Sequence, residues 1–404
     1  MVLLVAAVVA VLALRDDTYV APTPTAPSVA AARPAEAAAA LDALARALED
    51  GSPEAAAAVA PPGDETAAAR LAAVADDASA LGVGEVDLRY VDALGPVGND
   101  GSWTAEADAT WSFAGFDTAP VRAEVQVALR VVGDAVGVVG FVAPAAATDG
   151  VADDRLPLWL TGAVEVSRAD DVLVLAADDL DLERYARLAR AAVAQVREVL
   201  PGWRTGLVVQ VPSSAEALRA ALAADERQYA AVAAVTTTVG DGTDPAAPVH
   251  VFVNPEVFDG LDPRGAQVVM THEAVHVATD APRADVPLWL LEGFADHVAL
   301  RDVDLPVTTT AGQVIAQVRE DGVPAALPGP AEFDTSATHL GATYEAAWLA
   351  CEVVADAAGP DALVELYRRV DAGEDVEAVL RDVAGFGLAG LTQRWQERLR
   401  AVAA

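Results

Sequence analysis

His272 and His276 stand four residues apart with Glu273 between them, and Glu292 follows after fifteen more residues, 277–291. On a helix, residues four apart project from one face, so the two imidazoles can grip a single metal ion. Glu273 lies beside the first of them, where a carboxylate can take a proton from water that the ion has made acidic. Glu292 then falls where a following helix could supply a third ligand, with one position left for water and substrate. Three protein ligands and an open position describe a catalytic zinc centre rather than a structural one. The competing reading is a chance match on an ordinary buried helix. Five His in 404 residues leave that reading little room, and the downstream Glu292-Gly293-Phe294-Ala295-Asp296 leaves it less.

A chain of this length suggests two or three domains and can bury a substantial core. Its basic residues are all Arg, and the net charge of −35 repels phosphate backbones, which disfavours nucleic acid as a partner. The same charge could attract cationic substrates, but solubility and compositional bias explain it better. The single cysteine, Cys351, permits no intrachain disulfide, and its setting Ala347-Trp348-Leu349-Ala350-Cys351 reads as a buried helix.

Val2 to Leu14 is an unbroken apolar run followed by Arg15-Asp16-Asp17. Thirteen residues is short for a membrane span and nearer to the apolar part of a signal. The expectation for residues 1–17 is a signal or anchor segment without the usual basic head, so that the protein is exported and either membrane-anchored by its N-terminus or secreted. Residues 18–35 are rich in Pro, Thr and Ala, a composition suited to an extended linker.

Ala/Leu periodicity predicts helices from Pro34 to about Gly51 and from about Asp64 to Leu81. Four stretches of period two follow, from Glu85, Trp103, Val121 and Val136, and read as strands. Two helices and a meander make residues 36–148 a small α+β accessory domain, similar in pattern to NTF2-like or cystatin-like folds. Beyond the Pro/Ala/Asp/Gly stretch near 143–154, strands are expected at 163–166, 172–176, 206–211, 231–239 and 249–253. Helices are expected at 182–200 and 214–224. The metal helix should span Asp262 to Thr279, Pro287 should open the next helix at its first turn, and the remainder reads as helical. A mixed sheet followed by helices that carry the ligands gives an α+β fold with residues 155–404 as the metal-bearing domain.

Two segments, His272-Glu273-Ala274-Val275-His276 and Pro287-Leu288-Trp289-Leu290-Leu291-Glu292-Gly293-Phe294-Ala295, resemble the gluzincin zinc metallopeptidases. The likeness is to the bacterial peptidase-MA-like group in particular, and more distantly to thermolysin and the M1 aminopeptidases, whose two motifs lie further apart. It spans roughly residues 158–404, with only these two segments specific. It implies a zincin-like fold, zinc held by His272, His276 and Glu292, Glu273 as general base, and a peptide or protein substrate. Asp296 matches the acid that orients a ligand imidazole in such sites, although it also reads as a solvated surface acid. The Gly-Ala-Met-Glu-Asn type of motif that recognises a free amino terminus is absent, which favours an endopeptidase.

Related gluzincins place an oxyanion-stabilising Tyr at the head of a helix after the metal region, the position of Tyr344. The competing role for Tyr344 is a core aromatic stacked above Trp348. His339 is the substitute donor, as thermolysin-like enzymes use a His. His297 reads as packing. His250 reads as structural, on a strand whose free edge could pair with an extended peptide if it borders the cleft. Two other functions use the same residues: an extracytoplasmic binding or sensor protein with a vestigial metal domain, and a non-proteolytic zinc amidase.

Overall fold

The computed structural model describes residues 32–144, 154–224, 229, 232–240, 244–334 and 338–404. The apolar run at 2–14 and most of the linker lie outside these residues. Among the described residues no helix is long and apolar enough to cross a membrane. The fold is α+β with two sheets.

In the first half, α1 (Pro34–Glu49), α2 (Pro53–Ala57) and α3 (Glu65–Leu81) precede an antiparallel meander. Its strands are β1 (Val83–Leu94), β2 (Ser102–Phe113), β3 (Val121–Val132) and β4 (Ala135–Val142). A two-residue strand, β5 (Asp154–Arg155), adds parallel to β3. Alternation sets which face is covered. Trp103, Ala105, Ala107, Ala109 and Trp111 of β2 and Val121, Ala123, Val125, Val127 and Leu129 of β3 are buried in one core with Leu41, Leu44 and Leu71 of the helices. The short α2 has no counterpart in the expected pattern, because five residues are too few to display a helical period.

The second sheet has the order β6-β7-β8-β10-β9. It comprises β6 (Val164–Arg168), β7 (Val172–Ala177), β8 (Leu207–Val211), β9 (Ala234–Thr238) and β10 (Val249–Val253). β7, β8 and β10 run parallel, while β6 and β9 are antiparallel to their neighbours. Every residue of β7 and β8 is buried, so these strands lack a polar face. Val172, Val174, Val209, Val251 and Val253 share a core with the helices of the second half. Leu173, Leu175, Val208 and Phe252 instead join the core of the first half. The central sheet is thus covered on both sides.

One expectation about this sheet is corrected. β10, the strand of His250, is not an edge; it is flanked by β8 and β9, and β9 is the terminal strand. His250 is buried, with Nδ1 2.9 Å from Gln210 Nε2 and Nε2 2.9 Å from Asp117 Oδ1, and its ring stacks on Phe113. Asp117 also accepts from the Phe113 N–H at 2.7 Å. A satisfied buried pair of this kind ties the first half to the central sheet.

The helical layer follows: α4 (Leu182–Val199), α5 (Ala215–Leu222), α6 (Pro255–Phe258), α7 (Pro263–Ala278), α8 (Leu288–Leu300) and α9 (Val307–Thr310). Then come α10 (Gly312–Asp321), α11 (Leu340–Ala358), α12 (Pro360–Asp371), α13 (Val376–Ala384) and α14 (Leu388–Ala403). Pro287 is the N-cap of α8 rather than its first residue: its ψ of 135° is extended and places it just outside the helix. Cys351 is fully buried in α11.

Candidate metal centre

α7 begins where the Asp262 carboxylate accepts from the N–H groups of Arg264 and Gly265, with Pro263 in the first turn. Its buried face includes Ala266, Met270, Ala274 and Val275. Thr271, fully buried, donates to Gln195 Oε1 at 2.7 Å and accepts from Gln267 Nε2 at 3.1 Å, which ties α7 to α4. With α7 so fixed, His272 and His276 both face α8, and Glu292 and Asp296 of α8 stand four residues apart opposite them.

The three donors converge. His272 Nε2 and His276 Nε2 are 3.0 Å apart, and Glu292 Oε2 lies 3.1 and 3.2 Å from them. Tetrahedral coordination at about 2.0–2.1 Å asks for ligand atoms roughly 3.3 Å apart, so these spacings suit one ion. The orientation also fits. His272 Nδ1 hydrogen-bonds Asp296 Oδ1 at 2.7 Å, so its Nε2 turns a lone pair toward the other two donors. Acceptors packed this closely need a shared proton or a cation between them. Among the described residues these three form the group able to hold a metal. His276 Nδ1 is buried without a hydrogen-bond partner, so that ring is held less firmly than His272.

Burial alone would depress His272, but the carboxylates of Asp296 and Glu292 raise it well above the ordinary imidazole value. Burial works the other way on Glu292, and His276 and His272 overcome it, holding the carboxyl below the usual range. The site therefore draws positive charge, and protons compete with a divalent cation for it.

Glu273 is buried at the wall of a cleft of about 660 Å³, within the range of small-ligand sites. The cleft is lined by Ala234, Val235 and Thr236 of β9, by Val268 and Val269 of α7, and by Leu340, Gly341 and Tyr344 of α11, together with the donors. Tyr344 packs edge-on against His272 and Phe333, with ring centroids at 5.9 and 5.3 Å. Trp348, its expected stacking partner, instead sends its indole N–H to Glu352 at 3.1 Å. Burial, reinforced by Glu292, Glu273 and Asp296, pushes the Tyr344 phenol above its ordinary value, so it stays a proton donor. His339 is exposed at the N-cap of α11 and is not among the cleft-lining residues. His297 pairs with Glu352 at 2.6 Å and is not among the cleft-lining residues.

Two residues here escaped the sequence reading. Thr236 Oγ1 lies 2.6 Å from Glu273 Oε2, yet a Thr in a strand is what strand propensity alone supplies, so nothing marked it. Gly293 lies within the Glu292-Gly293-Phe294 motif, where the sequence pattern alone gives no physical reason for a glycine. A Cβ there would stand 2.3 Å from Ala347 O and 2.8 Å from Cys351 Sγ, so Gly lets α8 press directly on α11, the helix of Tyr344. Gly293→Ala should therefore cost about 1–3 kcal/mol, measured by urea unfolding. An unchanged midpoint would show that the two helices separate freely.

No protein-family model matches the chain, and no curated protein matches it.

Proposed function

We propose that this chain is a zinc-dependent endopeptidase with a zincin-like second half. The observation that carries the reading is the convergence of His272 Nε2, His276 Nε2 and Glu292 Oε2 on a cleft wall with Glu273 beside them. Two imidazoles and one carboxylate are a ligand set that catalytic zinc favours. The ion would supply Lewis acidity, polarising a carbonyl oxygen and making water acidic at neutral pH.

The protein's own residues do the rest. Asp296 fixes the tautomer of His272 so that Nε2 stays a ligand atom. Glu273 takes a proton from the attacking water and returns it to the leaving amine. Tyr344 donates to the oxygen on which negative charge develops. The outer edge of β9 offers backbone groups to an extended peptide. The apolar run at 2–14 supports action outside the cytoplasm.

Protein purified without chelators should carry one zinc per chain by elemental analysis and cleave a peptide pool, with cleavage lost to a chelator and restored by zinc. Zinc-free protein would sink the reading. Zinc-loaded protein that leaves every peptide intact would redirect it to a non-proteolytic amide.

Tyr344→Phe should lower kcat by about 10²–10³-fold with KM almost unchanged, since the hydroxyl acts in the transition state. A kcat near that of the unaltered protein would reduce Tyr344 to a packing ring against Phe333.

A further inference from the structure

We infer that Thr236 is a positioning residue for Glu273: its hydroxyl pins one carboxylate oxygen of the base and leaves the other to face the cleft. This rests on the peptidase reading above.

Thr236 Oγ1 stands 2.6 Å from Glu273 Oε2 and 3.1 Å from the carbonyl oxygen of the same residue. A hydroxyl has one proton to give, and the shorter contact, to a charged acceptor, takes it. The carbonyl is the alternative acceptor, so in either rotation the hydroxyl stays on residue 273. Glu273 has three rotatable side-chain bonds, and a buried carboxylate held only by its own helix could settle in several rotamers. Thr236 removes that freedom from outside the helix. It is β-branched and therefore stiff at χ1, and its backbone is set by pairing with Val251 of β10. The central sheet, rather than α7, thus decides where the base points. The same strand supplies Ala234 and Val235 to the cleft wall, so a peptide pairing with the outer edge of β9 would lie along the element that holds the base.

The test is a double-mutant cycle of Thr236→Val and Glu273→Ala in the full chain, read both in cleavage of a quenched-peptide pool and in urea unfolding. Val keeps the branched shape and loses only the hydroxyl. Thr236→Val should retain zinc and lower kcat on the order of ten- to a hundred-fold with little change in KM. Thr236→Ser should restore most of the rate. In the Glu273→Ala background, Thr236→Val should cost nothing further in rate, and the two unfolding shifts should be non-additive. Additive unfolding shifts overturn the inference whatever the activity. A kcat unchanged by Thr236→Val overturns it too, as does an equal loss in both backgrounds, which is the mark of general distortion. Should the wild-type chain cleave nothing, the peptidase reading falls and the catalytic role with it, while the unfolding cycle still decides whether the contact exists.

Discussion

Glu273→Gln should leave zinc bound and abolish nearly all hydrolysis. Glu273 is not among the three converging donors, so the ligand set survives the change intact. The amide matches the carboxylate in shape, and its oxygen can still accept from the Thr236 hydroxyl that lies 2.6 Å from Glu273 Oε2. What it cannot do is take a proton from water. Loss of a general base costs typically about 10²–10⁴-fold, and in the proposed mechanism the same group also returns the proton to the leaving amine. Zinc content and kcat measured on one preparation separate the two effects. Activity near that of the unaltered chain would show that another group deprotonates the water, and Asp296 would be no substitute because His272 already occupies it at 2.7 Å.

What was legible in the sequence follows from the range over which each feature is decided. The His272–His276 spacing needs only helical geometry, so the shared face of the two imidazoles could be read before any tertiary structure was considered. The meander strands showed because one face of β2 and β3 is covered and the other is not, which writes period two into the chain. β7 and β8 are buried on both faces and left only short apolar runs, enough to mark strands but not their neighbours. Strand order is set by pairings between residues far apart, such as Val209 with Val251. Local pattern carries no trace of that choice, which is why the sequence suggests a free edge at the strand of His250 while the terminal strand is β9. The same limit hid Thr236 and the close approach at Gly293, both of which are properties of two elements together.

His272→Ala and His276→Ala should each strip the zinc, and activity should disappear with it. Each removes one of the three donors proposed to hold the ion, and the remaining two would leave too few anchors. Glu292→Ala should do the same. Its Oε2 stands within 3.2 Å of both imidazole nitrogens, and its negative charge is what the two His hold in place. Asp296→Asn should act more weakly, reducing zinc affinity by about 10–100-fold, because Asp296 holds His272 and is not itself one of the three converging donors. The graded order, with Asp296 mildest, separates ligands from the residue behind them. A competitive zinc titration of the four variants reads it directly. If Glu292→Ala keeps its zinc on about tenfold dilution, Glu292 is not a ligand. Asp296 would then be the third-ligand candidate, and its bond to His272 Nδ1 would have to break for it to reach the ion.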